Sequence, residues 1–356
     1  MPRPRSSLLL ILAIFTVFTG MVGRHPAVAR AADGPGLAVE SSASLAQQSP
    51  TAQPIVVAPY FDVGLEPNVD FSLLAHESGI RHIVLAFIVD GGGCRASWAG
   101  YGPLGSHMAE KIRSEVAALR ERGVAVIISF GGAINHELAV ACGDDAALQA
   151  QYQAVIDLYA PAGIDFDIEG SAQSDAEAND RRSRVLRALQ ERNPEVQISY
   201  TIPVALSGLT ERGLAIVRNA FSRGVRLSRL NLMTMYFGDQ GRLHPMSENA
   251  IQATSNAVRQ LSQLQPSRAE ISIPEGLGIT PIVGANALAG EMFTVEDAYQ
   301  LRAWAKQEQL GSLSFWSLNR DHPCAGVRVD PTLTCSGVPQ EPYAFVQAFA
   351  GLIPSG

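Results

Sequence analysis

Short β-branched and aliphatic runs alternate with longer amphipathic stretches along most of this 356-residue chain, and that alternation narrows the possible folds more than any other feature. The runs predicted as strands are Ile55–Ala58, His82–Phe87, Val124–Phe130, Ile164–Ile168, Val196–Ile202, Leu230–Met235, Gly276–Ile282 and Ser312–Trp316. Between them, apolar residues recur at helical spacing over His107–Arg122, Asp145–Tyr159, Asp175–Arg192, Leu209–Arg223, Ser247–Leu264 and Val295–Gln309. Thr294 with Asp297 predicts a capping box at the start of the last helix, Asp standing in for the usual Glu or Gln. Alternating strand and helix with parallel connections leaves an open doubly wound sheet or a closed barrel. No G-x-G-x-x-G follows the first strand, and eight is the strand count of the barrel. The expectation is therefore an α/β chain folded as a single-domain TIM (β/α)8 barrel over residues 54–353, with its chemistry at the C-terminal strand ends.

The segment Gly163-Ile164-Asp165-Phe166-Asp167-Ile168-Glu169-Gly170 carries the strongest chemical signal. Side chains alternate across a strand, so Asp165, Asp167 and Glu169 share one face while Ile164, Phe166 and Ile168 share the other. A parallel barrel strand is covered by helices outside, so the acidic face must look into the barrel. Burying three carboxyls there costs several kcal/mol unless they are paired or protonated, which points to function. Neighbouring like charges cannot all ionise cheaply, so a proton should be shared and the outermost acid, Glu169, should keep a raised pKa suited to a general acid.

Residues 1–31 are set apart from the fold. Arg3 and Arg5 precede an apolar run from Leu8 to Val22, and Ala27-Val28-Ala29 or Ala29-Arg30-Ala31 offers a small-x-small cleavage site, the pattern of a secretory signal peptide. The run is shorter than the roughly 18–20 residues of a spanning helix. Residues 32–53, rich in Ser, Ala, Gln, Gly and Pro, read as a flexible linker. Losing the signal removes four arginines and no acids, taking the formal charge from −7 to −11. Such a surface repels phosphates, so the expectation is no nucleic acid, no membrane contact after signal removal, a secreted monomer, and a neutral or cationic polymer as partner. Four cysteines in an exported chain imply disulfides. Three pairings are open; Cys324 and Cys335 are near enough in sequence to staple one loop, which would leave Cys94 with Cys142. Neither their spacing nor that of the seven histidines matches a metal site, and no cofactor is expected.

The carboxylate strand resembles the D-x-x-D-x-D-x-E signature of family 18 glycoside hydrolases, the chitinases and their relatives, in its D-x-D-x-E core. That core is most similar to the archaeal and actinobacterial branch. Ser129-Phe130-Gly131-Gly132 resembles the family's S-x-G-G motif on the third strand, Met233-Thr234-Met235-Tyr236 lies where its M-x-Y-D or M-x-M-D segment belongs, and Ser314-Phe315-Trp316-Ser317-Leu318-Asn319-Arg320-Asp321 resembles the eighth-strand end of bacterial members. The resemblance implies retaining hydrolysis of an N-acetylglucosamine-containing polysaccharide or oligosaccharide without a protein nucleophile, the sugar's own acetamido oxygen attacking the anomeric carbon. Glu169 would then be the acid and base, Asp167 the residue that holds the acetamido N–H, Asp165, deeper in the barrel, the residue that shares a proton with Asp167 and tunes its charge, and Trp316 the sugar platform.

Tyr60 and Phe87, at the ends of strands one and two, are candidates to line the same cavity, with aromatic filling of the barrel as the alternative. Met233 is a further lining candidate whose ordinary role is packing. Gly131 and Gly132 are expected to turn the backbone tightly beside the site. Two positions depart from the family: Ala162 stands where the signature has its first acid, and Tyr236 stands where many relatives have an Asp. Two other readings compete with a chitinase: an endo-β-N-acetylglucosaminidase acting on N-glycans, and a catalytically silent carbohydrate-binding barrel.

Overall fold

The first strand comes in two pieces, and that split closes the sheet on itself. The computed structural model describes residues 54–134, 136–264, 266–267, 270–286, 290–325 and 333–352; the signal and linker segments read from the sequence lie outside them. Strand β1 comprises Val56–Val57 and Tyr60–Asp62. It is followed by β2 (His82–Asp90), β3 (Ala125–Gly131), β4 (Gly163–Asp167), β5 (Gln197–Ala205), β6 (Arg229–Met233), β7 (Leu277–Thr280) and β8 (Ser312–Leu313). Each pairs in parallel with the next. The first piece of β1 pairs with β8 and the second with β2, completing the ring. Pro59 falls between the pieces: it has no N–H to offer, and its carbonyl accepts from Val84 N–H at 2.9 Å. The expected eight-fold barrel is the observed one.

A helix follows each strand: α1 (Phe71–Ser78), α2 (His107–Glu121), α3 (Asp145–Tyr159), α4 (Ala176–Arg192), α5 (Glu211–Ser222), α6 (Met246–Gln263), α7 (Val295–Gln307) and α8 (Ala344–Ala350). Side chains of Asp70, Ser106, Asp144, Asp175, Thr210 and Thr294 accept a first-turn N–H and so define six helix starts. The Thr294/Asp297 capping box is formed. Helices α1 and α8 go beyond the sequence reading, being too short for an apolar period to stand out. Strands β6, β7 and β8 are regular only as far as Met233, Thr280 and Leu313, earlier than read; beyond them pairing goes on as single contacts, Thr234 N–H donating to Thr280 O at 3.1 Å and Ile282 bridging Trp316.

The barrel has an apolar outside and a divided inside. Between sheet and helices, Phe130 and Phe166 stack with centroids 5.2 Å apart, and Tyr152 of α3 meets each ring edge-on at 5.0 Å. Inside, Ala58, Tyr60, Val84 and Ala86 form a small apolar cluster against Phe87 and Trp316. Opposite them the lining is polar. Two disulfides brace the C-terminal face: Cys94–Cys142 ties the loop after β2 to the one after β3, and Cys324–Cys335 closes the loop after β8. A buried ion pair, Glu137 with Arg182 of α4 at 2.6 Å, anchors the loop after β3, and the Tyr152 hydroxyl donates to the same carboxylate at 3.0 Å.

Gly131 and Gly132 let β3 press against β4. Both have positive φ, 99° and 86°, and the N–H of Gly132 donates to the carbonyl of Asp167 at 3.1 Å. A Cβ on Gly131 would lie 2.1 Å from that carbonyl oxygen, and one on Gly132 would lie 2.7 Å from the Phe87 ring. Gly131→Ala is therefore expected to destabilise the fold by about 3 kcal/mol, combining a strained φ with a backbone clash. Urea unfolding checks this against Gly143→Ala, a site with nothing within 4 Å of the added carbon; equal midpoints for the two variants would refute it.

Candidate active site

Asp165 is 1% exposed and receives hydrogen bonds from four hydroxyl groups. Tyr60 Oη (2.9 Å) and Ser129 Oγ (2.7 Å) donate to Oδ2; Ser199 Oγ (2.6 Å) and Thr201 Oγ1 (2.9 Å) donate to Oδ1. The ladder supplies them: Ser129 and Ser199 are the register partners of Asp165 on β3 and β5, and Thr201 lies two residues further along β5 on the same face. Asn231 of β6 donates to Thr201 Oγ1 at 3.2 Å, so the polar lining continues around the ring. Burial raises the Asp165 pKa, and the four hydroxyls pull against that rise by favouring the charged form. The Tyr60 phenol is pushed well above its ordinary value, first by burial and then by the charges of Asp165 and Asp167, so it stays a donor.

Asp167 and Glu169 form the second part of the site. Asp167 is 5% exposed, and its Oδ1 receives no hydroxyl or N–H donor among the described residues. Glu169 lies beside it, and a hydrogen bond between the two carboxyls is among the causes that shift both. Burial raises the Asp167 pKa strongly, and the charges of Glu169 and Asp165 raise it further. Burial raises Glu169 as well, with the bond to Asp167 opposing it. Burial thus pushes all three acids up, Asp167 most strongly, while the serine, threonine and tyrosine hydroxyls on both oxygens of Asp165 favour its charged form. Glu169, just past the end of β4 and half-buried, caps the short 3-10 turn Gly170–Ser174 at the barrel mouth.

Across the mouth, Phe87 and Trp316 lie face to face, with centroids 5.4 Å apart and planes within 9°. Trp316 is held by its backbone, donating from N–H to Pro281 O (2.9 Å) and accepting from Val283 N–H (3.0 Å). Both rings are half-buried and present an edge of aromatic surface to the cleft. Tyr60 is 1% exposed and belongs to the floor, where it fills the barrel and holds Asp165. Met233 is likewise buried at the end of β6. Tyr236, 48% exposed, stands at the rim. Its phenol pKa is raised by burial and by the charges of Glu169 and Glu291, against the influence of Arg320, which places it within electrostatic reach of Glu169. Sequence reasoning missed the roles of Ser199, Thr201 and Asn231; the signal available was polar residues at i and i+2 on strands flanking the acidic one.

A closed parallel barrel with three acids on one strand and an aromatic shelf at its C-terminal mouth has the architecture of a barrel enzyme with its site at the strand ends. No family model matches the chain. Among solved structures, it is similar to catalytic-site mutants of active domain 2 of the thermostable chitinase from Pyrococcus furiosus complexed with chito-oligosaccharides, with TM-score 0.73, 35% identity, and coverage of 85% of this chain and 97% of that one. It is 33% identical over 310 residues to a probable bifunctional chitinase/lysozyme of Escherichia coli (strain K12), matching 83% of this chain and 34% of that protein. It is 32% identical over 281 residues to Endochitinase 11 of Metarhizium anisopliae, matching 76% of this chain and 53% of that protein. The chain thus spans about a third of the length of one relative and about half of the other. It belongs to the chitinase family of glycoside hydrolases, family 18.

The raised carboxyl pKa values have a consequence for stability. An acid whose folded pKa lies above its unfolded value contributes stability that is fully present below the unfolded pKa and is lost as pH rises through the folded one. Asp167→Asn is therefore expected to melt higher than the wild type at about pH 8, the difference shrinking toward about pH 3 where the wild-type acid carries its proton in both states. Calorimetry across that range checks it; a gain that is largest in acid would contradict the assigned direction.

Proposed function

We propose that the protein is a secreted glycoside hydrolase that cleaves β-1,4-linked N-acetylglucosamine in chitin and chito-oligosaccharides by retaining, substrate-assisted catalysis. The observation that carries this reading is the run of three acids leading to the mouth of the barrel, Asp165 held by four hydroxyls and Asp167 and Glu169 both pushed up by burial. Glu169, half-buried, delivers a proton to the glycosidic oxygen as the bond breaks and later takes one from the incoming water. Asp167 accepts from the acetamido N–H and turns the acetamido oxygen toward the anomeric carbon, forming an oxazolinium ion with no bond to the protein. Asp165, immobilised by its four hydroxyls, supplies fixed negative charge beneath the developing cation. Trp316, backed by Phe87, supports the apolar face of the reacting sugar. Tyr236 donates from the rim to the acetamido oxygen or to Glu169; as a neutral phenol it can donate where a carboxylate only accepts.

Membership of the chitinase family and the complex of the Pyrococcus furiosus domain with chito-oligosaccharides support the substrate class. The signal-like N-terminus supports export, with cleavage after Ala29 or Ala31 expected on N-terminal sequencing of protein from the medium.

Glu169→Gln is expected to lower turnover of a defined N-acetylglucosamine oligomer by about 10²- to 10⁴-fold while binding persists. More than a tenth of wild-type turnover in that variant would remove Glu169 from its role. Tyr236→Phe is expected to cost about tenfold, the scale of one hydrogen bond of about 1.5 kcal/mol. An oligomer with a free amine in place of the acetamido group at the reacting unit should not be cleaved, and a thiazoline analogue should inhibit; rapid cleavage of the amine would exclude substrate assistance.

A further inference from the structure

The loop that carries Tyr236 is gripped on both sides of that residue by a buried polar pair from a different strand connection. Asn286 Nδ2 donates to the Met235 carbonyl at 2.7 Å, and the Phe237 N–H donates to Glu291 Oε1 at 2.9 Å. The pair is joined to itself: Asn286 Nδ2 donates to Glu291 Oε2 at 3.1 Å, and the Asn286 N–H to the Glu291 carbonyl at 3.1 Å. Glu291 is 2% exposed. The grip extends further, since a Cβ on Gly241 would come within 2.7 Å of Glu291 Oε1, so the turn Gly238–Leu243 folds directly over the carboxyl. The hairpin that carries the pair, Gly284–Ala285 with Met292–Phe293, is held in turn by Arg320, whose guanidinium donates to Val283 O and Ala285 O at 2.9 and 2.6 Å.

A buried carboxyl is costly, and packing alone would be served as well by an apolar residue of similar size. What the carboxyl at 291 gives, and an apolar residue cannot, is an acceptor for the peptide group that follows Tyr236, while Asn286 satisfies the peptide group that precedes it. Among the described residues the phenol itself makes no such bond, and it is half-exposed, so its position is set through the backbone. We infer that Glu291, with Asn286, is a positioning residue: it fixes where the Tyr236 hydroxyl stands beside Glu169 and thereby how the acetamido group of the bound sugar is met. This rests on the proposed contact between Tyr236 and substrate.

A double-mutant cycle on kcat/KM for one chito-oligosaccharide tests it, using Glu291→Ala, Tyr236→Phe and the double variant. Tyr236→Phe is expected to lose about tenfold, Glu291→Ala a similar factor, and the double variant no more than about twofold beyond Tyr236→Phe alone. Glu291→Gln, which keeps an acceptor for Phe237 N–H but turns a second donor toward Asn286, should fall between wild type and Glu291→Ala, and it carries the same cycle should the alanine variant not fold. Losses that multiply in the double variant overturn the positioning role and leave the Tyr236 contact standing. A folded Glu291→Ala with wild-type kinetics overturns it too. An unaffected Tyr236→Phe removes the contact itself, and the positioning role with it.

Discussion

The structure turns on the burial of a carboxyl group inside the barrel. Asp165 sits where water cannot reach, and the fold answers with hydroxyls from four places: β1, β3 and two positions on β5. Because every hydroxyl arrives by ladder register or from across the closed ring, the cage exists only if the barrel closes through the split first strand. The division of the interior follows from it. One side is polar to serve the carboxylate, and the other, Ala58, Val84 and Ala86 beneath Phe87 and Trp316, is small and apolar.

That saturation sets Asp165 apart from Asp167 and Glu169. Four donors favour its charged form against burial, whereas Asp167, with no donor on Oδ1 among the described residues, is pushed up strongly by burial and neighbouring charge, and Glu169 is pushed up by burial as well. The opposing burdens are visible in the surroundings: glycines pressed against the Asp167 backbone, a buried Glu137–Arg182 pair behind the loop after β3, and two disulfides on the face where the strands end. Strain and desolvation concentrate at that end, and the bracing does as well.

The rim is built by a different logic. Tyr236 is surrounded by loops, where position must be imposed by contacts instead of by a ladder. Arg320 after β8, the hairpin after β7 and the backbone after β6 are linked in series by hydrogen bonds between buried groups. Trp316 shares in the same connection through Pro281 and Val283. The aromatic shelf and the phenol are thus set by one continuous network running along three strand ends.

Local sequence determined a good deal. Alternation along Ile164–Glu169 put the three acids on one face, β-branched runs marked the eight strands, and Thr294 with Asp297 marked a helix start, because each of these depends only on neighbours within a few residues. The positive-φ glycines after β3 were legible for the same reason. The donors that surround Asp165 were not legible, since Ser199 and Thr201, more than thirty residues away in sequence, arrive beside it by strand register. Nor was the sorting of aromatics legible: Tyr60 fills the floor while Trp316 and Phe87 form the shelf, a choice made by where the ring of strands narrows and opens. Glu291 carried no local pattern at all; its meaning comes from a hairpin that folds it against the peptide beside Tyr236. Periodicity tells which way a side chain points, and only closure of the barrel decides what it meets there.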